Sequence, residues 1–233
     1  MIAILSDAHL EDAADPAQRD LVDWLDGLDA EALVLGGDLF HFWWGRWPRP
    51  QARYQPATDA LARAAARGIA ITWIPGNHDF AVGSHIVART GLTVTPRWER
   101  RVGDLRVVVV HGDEADRSLG YRLTRRLLRG RAFGALVDAL GERRGEALLE
   151  RLAGGSRAHM RPAAPLVAAQ RRWAEAELEA GADVVCLGHT HALGIVETPA
   201  GRVVHLGDWG EQRTWLQLDD AGIQLQRFGP DAG

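Results

Sequence analysis

Short apolar runs that stop abruptly at a polar turn recur along this chain, and they restrict its fold more than any other feature. Runs at 2–6, 33–35, 69–74, 106–110 and 184–187 end in SDAHL, GGD, PGNHD, HGDE and GHTH respectively. The run at 33–35 reads as a buried strand and the others as short apolar strands. Between the first three lie helical patterns at 16–28, with Leu21, Trp24, Leu25 and Leu28 at three- and four-residue spacing, and at 57–67, stopped by Gly68. That β-α-β-α-β order predicts an α/β fold with helices packed on the sheet.

Strand character disappears after Val110 and returns at 184–187, 195–197, 203–206, 214–218 and 223–228. The intervening stretch reads as helices at 119–128, 132–140, 145–152 and 165–180. The expected organisation is one domain over 1–233 with a helical, basic insertion at about 117–180. The formal net charge of −4 conceals this block: residues 117–172 hold 13 arginines and 4 acids, +9, which leaves −13 on the rest. A basic block of that size attracts phosphates or an anionic lipid surface. No run of apolar residues is long enough to span a bilayer, and MIAILSDAHL reads as a strand, not a leader. The single cysteine, Cys186 in VVCLG, fits a buried apolar position and a reducing compartment. These features point to a cytoplasmic protein, peripheral at most on the inner membrane.

The turns after the strands carry the chemistry. They are Asp7-Ala8-His9, Gly37-Asp38, Gly76-Asn77-His78-Asp79, His111-Gly112 and Gly188-His189-Thr190-His191. Carboxyl ends of strands line the ligand crevice of open α/β sheets, so the five turns can converge. In extended backbone residues i and i+2 point the same way, which lets Asp7 meet His9, and His189 meet His191, on one ion. Each motif alone is also ordinary turn chemistry; all five in order at strand ends are not. Asp, Asn and His without Cys form a mixed oxygen and nitrogen set suited to Mn²⁺, with Zn²⁺ or Fe²⁺ as alternatives. Seven candidate ligands exceed one ion's needs and fit two ions sharing a carboxylate. Such a pair, about 3.5–4 Å apart, clamps both oxygens of an in-line phosphoryl displacement and acidifies bound water.

The ordered set D-x-H, GD, GNHD, HG and GHTH resembles the calcineurin-like metallophosphoesterase superfamily. The resemblance implies a four-layer α/β/β/α sandwich. It further implies one ion held by Asp7, His9 and His191, a second by Asn77, His111 and His189, and Asp38 between them. His78 matches the histidine that contacts phosphate or protonates the leaving group, with Asp79 as its orienting partner.

GDLF before an aromatic, HGD, GHTH, Leu206-Gly207-Asp208-Trp209 and the segment from Tyr121 to Arg157 also resemble the UDP-2,3-diacylglucosamine diphosphatases of lipid A synthesis. That similarity implies a helical lid and hydrolysis of a UDP-sugar diphosphate to UMP and diacylglucosamine 1-phosphate. The chain departs from those enzymes at His78, where they usually carry Arg, and at His41, where they usually carry Glu. Asp116 is nearest to their acidic pair after HGD, and Arg157 and Arg161 lie near the place of their lid lysines. Two further readings stand beside this one: another metallophosphoesterase acting on nucleotides, cyclic nucleotides or nucleic acid, and a non-catalytic scaffold. Nucleic acid is disfavoured by the lack of room for a capping domain, and no obligate protein partner is evident.

Aromatic residues crowd the stretch GGDLFHFWWGRWPRP. Phe40 is expected to face the core. Trp43, Trp44 and Trp47 are expected to line the mouth of the site where a lipid enters, with Arg46 and Arg49 near headgroups. The alternative is that these indoles seal a helix against the sheet.

Overall fold

The computed structural model describes residues 1–47, 52–116, 118–157 and 164–229. The first half of the chain runs β1 (Ile2–Leu5), α1 (Pro16–Gly27), β2 (Ala32–Leu35), β3 (Trp43–Trp44), α2 (Gln55–Ala66), β4 (Ala70–Trp73) and β5 (Asp79–Ala81). It continues α3 (Ser84–Thr90), β6 (Thr93–Val94), β7 (Trp98–Val102), β8 (Leu105–Val110), α4 (Leu119–Leu128), α5 (Arg131–Arg157) and α6 (Ala164–Glu179). The last strands are β9 (Val184–Leu187), β10 (Leu193–Thr198), β11 (Gly201–Leu206), β12 (Thr214–Asp219) and β13 (Gly222–Arg227).

Two sheets form, ordered β13-β12-β1-β2-β4-β6 and β10-β11-β9-β8-β7. In the first, β1, β2, β4 and β6 are parallel, with Ile2 opposite Ala32 and Leu33 opposite Ile71. In the second, β8, β9 and β11 are parallel. Alternation along the strands decides what covers them. Ile2, Ile4 and Val34 face Val107, Val109, Cys186 and Val204 of the other sheet. Ala3, Leu5, Leu33 and Leu35 turn outward onto Leu21 and Leu25 of α1 and Leu61 of α2. Val108, Val110, Val185 and Leu187 turn outward onto Ala174 and Leu178 of α6. Both faces of the inner strands are therefore dry, which is why they read as unbroken apolar runs. Cys186 is buried between the sheets, and burial pushes its thiol up to about 12.

Helix α1 begins where Asp15 accepts the amide of Ala17 and Pro16 sets the first turn. The two helices expected at 132–140 and 145–152 form one span, Arg131–Arg157, broken at Gly141, whose φ is +70°. The pattern at 165–180 becomes α6 on the second sheet, whereas α4 and α5 are not part of the clusters that cover the two sheets. Sequence patterning did not anticipate β3, β5, β6, β7 and α3; these are two- to five-residue strands and a seven-residue helix. No helix among the described residues is long and apolar enough to cross a membrane.

Phe40 packs as expected, buried against Trp43, Tyr54 and Trp73. The open aromatic rim is a correction. Trp43 is 2% exposed and donates its indole N–H to the carbonyl of Val82, while Trp44 and Trp47 are 3% and 8% exposed. Phe42, Trp44 and Trp47 pack on Phe133 and Val137 and on Leu149 and Ala153, both halves of α5. Trp44 also donates to Asp138, which pairs with Arg46. Trp44 and Trp47 thus anchor the insertion to the body, whereas Trp43 belongs to the main core. Arg49 lies outside the described residues.

Candidate metal centre

The carboxyl ends of β1, β2, β4, β8 and β9 lie along one edge of the paired sheets, and the five motifs sit there. Their backbone is not extended. Asp7, His9, Asp38, His189 and His191 have φ between +44° and +69°, a region that non-glycine residues seldom occupy. The convergence of Asp7 with His9, and of His189 with His191, therefore comes from left-handed turns beyond the strand ends and not from strand pleat. Such turns cost on the order of 1 kcal/mol or more each and persist where neighbours over-determine them. Here Asp7 N donates to Gly37 O (2.9 Å), His9 N to Asp38 O (3.0 Å) and Leu10 N to Leu39 O (3.1 Å), zipping the first two loops together. Two glycines permit the close approach. A Cβ on Gly76 would lie 2.1 Å from Asp38 Oδ1, and one on Gly188 would lie 2.1 Å from Ser6 Oγ and 2.5 Å from Asp7 Oδ2.

The seven expected ligands come together in two lobes. Asp7, His9 and His191 present donor atoms within 4.8 Å of one another, as do Asp38, His111 and His189. Asp7 Oδ1 is 3.6 Å from His191 Nε2 and 3.8 Å from His9 Nε2. Asp38 Oδ2 lies between the lobes, 3.4 Å from His111 Nε2 and 3.9 Å from His9 Nε2. Asn77 Oδ1 is 3.2 Å from His111 Nε2 and completes the second lobe.

Two observations fit this pocket to divalent cations. Asp7 Oδ1, Asp38 Oδ2 and His189 Nδ1 are buried and make no hydrogen bond, although other atoms of both carboxylates do. The charge pattern agrees. Burial opposes ionisation of Asp38, yet His111, His78 and His9 hold its carboxyl well below the usual range. Burial likewise opposes a cation on His111, but Asp38 and then Asp7 hold it well above the ordinary imidazole range. Burial and the neighbouring His111 push His189 down to about 4, and burial raises Asp7. The acids thus draw positive charge into a buried space, a demand that a cation satisfies while leaving the imidazoles neutral as ligands.

His78 is buried with its ring 4.8 Å from that of His9. Its Nδ1 lies 2.6 Å from the carbonyl of His41, and its Nε2 makes no hydrogen bond. The carbonyl fixes the proton on Nδ1 and leaves Nε2 directed at the site. Asp79 does not orient His78, which corrects the expected pairing. Its Oδ2 accepts from Asp38 N (2.9 Å), Gly76 N (2.9 Å) and Trp73 Nε1 (3.1 Å), so it clamps the loop that carries Asp38. His41 contributes its backbone to His78, with the two rings 6.2 Å apart. Asp116 accepts the amide of Ser118 and borders an arginine-rich basin under α4. Arg161 and the side chain of Arg157 lie outside the described residues.

Three supporting groups were not foreseen. Asp113, fully buried, accepts from Tyr121 Oη (2.9 Å) and pairs with Arg125 Nε (2.7 Å), while Arg129 donates to Gly76 O (2.8 Å). Helix α4 is thereby tied to two ligand loops. Gln170 of α6 donates to Gly188 O (2.9 Å) and accepts from Thr190 Oγ1 (2.9 Å), holding the GHTH turn. Asp208 Oδ2 stands 3.7 Å from His191 Nδ1 and accepts from Gln212 Nε2. HGD and LGDW mark two of these in the sequence; nothing about a glutamine within a helix marks the third.

Known proteins place this geometry. The family model described as calcineurin-like phosphoesterase matches residues 1–193. A UDP-2,3-diacylglucosamine hydrolase of Pseudomonas putida (strain F1) is 32% identical over 240 residues, covering 98% of this chain and 99% of that protein. One from Xanthomonas campestris pv. campestris is 33% identical over 251 residues, covering 96% and 97%. Among solved structures, an archaeal phosphodiesterase superposes with a TM-score of 0.51 at 15% identity, covering 96% of this chain and 97% of that one. The phosphoesterase Yfce of E. coli superposes at 0.50 and 17%, covering 100% and 94%. The chain belongs to the calcineurin-like phosphoesterase family.

Proposed function

We propose that the protein hydrolyses the diphosphate of UDP-2,3-diacylglucosamine, releasing UMP and 2,3-diacylglucosamine 1-phosphate. The near end-to-end similarity to hydrolases of that name supports this reading. One observation in the structure carries it: a cavity of about 250 Å³ that opens at Asn77 and His78 and continues between Phe80, Leu128, Leu152 and Ala153. An apolar recess beside a phosphoryl-transfer centre suits a substrate with acyl chains better than a soluble nucleotide.

In this reading Asp7, His9 and His191 hold one divalent ion, Asn77, His111 and His189 a second, and Asp38 serves both. Bound ions of this kind, Mn²⁺ foremost, supply Lewis-acid activation of water and charge neutralisation at the phosphoryl oxygens. The protein's own groups do the positioning. Asp79 fixes the Asp38 loop, and the His41 carbonyl holds His78 with Nε2 directed at the site, where the imidazolium form would pass a proton from Nε2 to the phosphoryl or leaving-group oxygen. Arg125 and Arg129 border the same cavity and add positive charge for the diphosphate.

Helix α4 supports peripheral attachment to the inner membrane. It buries no residue, and Leu119, Leu123 and Leu127 are 73%, 67% and 65% exposed along one face. Arg122 and Arg126 flank that stripe without an acidic partner among the described residues, a pattern suited to an anionic bilayer.

A second reading, a soluble phosphodiester substrate, rests on His78 standing where the lipid-precursor enzymes usually carry Arg. A substrate panel with added Mn²⁺ separates the two: UDP-2,3-diacylglucosamine, UDP-N-acetylglucosamine, a cyclic nucleotide and single-stranded DNA. The proposal requires kcat/KM for the acylated UDP-sugar to exceed the others by orders of magnitude. Equal turnover of UDP-N-acetylglucosamine would remove the lipid from the account.

A further inference from the structure

The seven ligands are not sealed uniformly. Asn77 and His191 alone among them are partly exposed, and they reach the surface through different cavities. Asn77 opens into the recess beneath α4, next to a basin of about 860 Å³ where Arg122, Arg125, Arg126, Arg129 and Arg131 outnumber Asp113, Glu114 and Asp116. His191, with 22% of its side chain exposed, opens into a cavity of about 450 Å³. That second cavity is lined by Asp7, Glu11, Asp15, Asp208 and Glu211, with His9 at its floor.

The two mouths have opposite charge. On the arginine side, Arg122, Arg126 and Arg131 have no acidic partner among the described residues, and Asp113 is neutralised by Arg125. On the acidic side, Glu11 and Glu211 are exposed at the rim. Asp15 and Asp208 are held in place by backbone amides, Asp15 by those of Glu11 and Ala17, and Asp208 by those of Glu211 and Gln212. The passage ends on Asp7 Oδ1, fully buried and without a hydrogen bond. A diphosphate is repelled from this mouth, whereas a divalent cation is drawn in and finds an unsatisfied oxygen at its end.

We propose that this acid-lined cavity is the passage by which divalent cations reach and leave Asp7, His9 and His191, separate from the arginine-lined side that admits the anionic substrate. The proposal rests on the metal reading of the site. It gives a role to part of the charge split, since five arginines of the basic block border one mouth and five acids from the rest of the chain border the other, so a cation and an anion can approach one centre without competing. Clefts lined by one sign of charge raise association rates of the opposite ion by roughly 10–10³-fold at low salt.

The test uses the full chain stripped of metal with a chelator. Mn²⁺ uptake is followed by rapid mixing against a fluorescent chelator, and bound Mn²⁺ per chain by electron paramagnetic resonance. Glu11→Gln/Glu211→Gln and Glu211→Gln alone are compared with Arg122→Gln/Arg126→Gln on the other mouth. The expected result is uptake about tenfold slower in the double acid variant at low salt. The gap should close near 1 M salt, where the screening length falls to about 3 Å. Bound Mn²⁺ at saturation stays at the parent value, and the arginine variant takes up metal at the parent rate. Unchanged uptake in both acid variants, or a larger change in the arginine variant, overturns the passage while leaving the metal site intact. No Mn²⁺ bound by the parent protein would overturn both.

Discussion

Replacing Asp79 with alanine separates two roles for a residue that sits beside His78 in sequence. Asp79 is 2% exposed, and its Oδ2 accepts three N–H groups, those of Asp38 and Gly76 in the backbone and of the Trp73 indole. Truncation strands three buried donors, each worth about 1–3 kcal/mol. Allowing for relaxation and non-additivity, the expected loss is about 3–5 kcal/mol. For a domain of this size each kcal/mol moves Tm by roughly 2–4 °C, so the midpoint falls by roughly 6–20 °C. Asp79→Asn costs less, about 1–2 kcal/mol. Its oxygen keeps the three donors, while its amide replaces Oδ1, which makes no hydrogen bond and offers the amide no acceptor. Thermal unfolding of the metal-free protein by circular dichroism reads these differences without interference from bound ions. If Asp79→Ala retains the parent Tm and loses only turnover, the residue acts through His78 and the backbone clamp is wrong.

Three further outcomes follow from the same contacts. Gly188→Ala drives a methyl into Ser6 Oγ and Asp7 Oδ2, so calorimetric titration should show the Asp7 lobe losing metal affinity before the Asn77 lobe. Asp113 is held below the usual carboxylate range, burial being outweighed by His111, Arg125 and Arg129. Its tie to α4 is therefore fully present above the unfolded value of about 3.9 and lost as pH falls through the lower folded value. The protection factors of α4 amides, corrected for the intrinsic pH dependence of exchange, should hold steady from pH 7 to 5 and fall only below that unfolded value; loss of protection already between pH 7 and 5 contradicts the assignment. Leu123→Gln/Leu127→Gln should lower partition onto anionic vesicles severalfold with turnover of a soluble aryl phosphodiester unchanged. Equal partition of the variant would show that this helix face does not meet lipid.

What the sequence exposed and what it hid follow from range. Short apolar runs declare strands through composition alone, so β1, β2, β4, β8 and β9 and the turns after them are readable. The seven ligand types were readable for the same reason, since each stands within four residues of a strand end. How they converge was not. Strand pleat does not govern Asp7 and His9, whose φ is left-handed, and only the zippered amides of the two loops hold that conformation. Asp79 misled because adjacency to His78 suggested a pair, while its partners, Asp38 and Trp73, are distant or unremarkable in sequence. Trp44 and Trp47 misled because an indole suits a wet boundary and a dry seam equally. What decides is Phe133, Val137 and Leu149 on α5, a long-range contact that no local pattern encodes.

Two cations with Asp38 between them are the central expectation for this site. Crystals of the Mn²⁺-loaded protein, measured at a wavelength where manganese scatters anomalously, test that directly. Two anomalous peaks about 3.5–4 Å apart are expected. One should be bounded by Asp7, His9 and His191, the other by Asn77, His111 and His189, with Asp38 Oδ2 in reach of both. A single peak, or two that do not share Asp38, would contradict it.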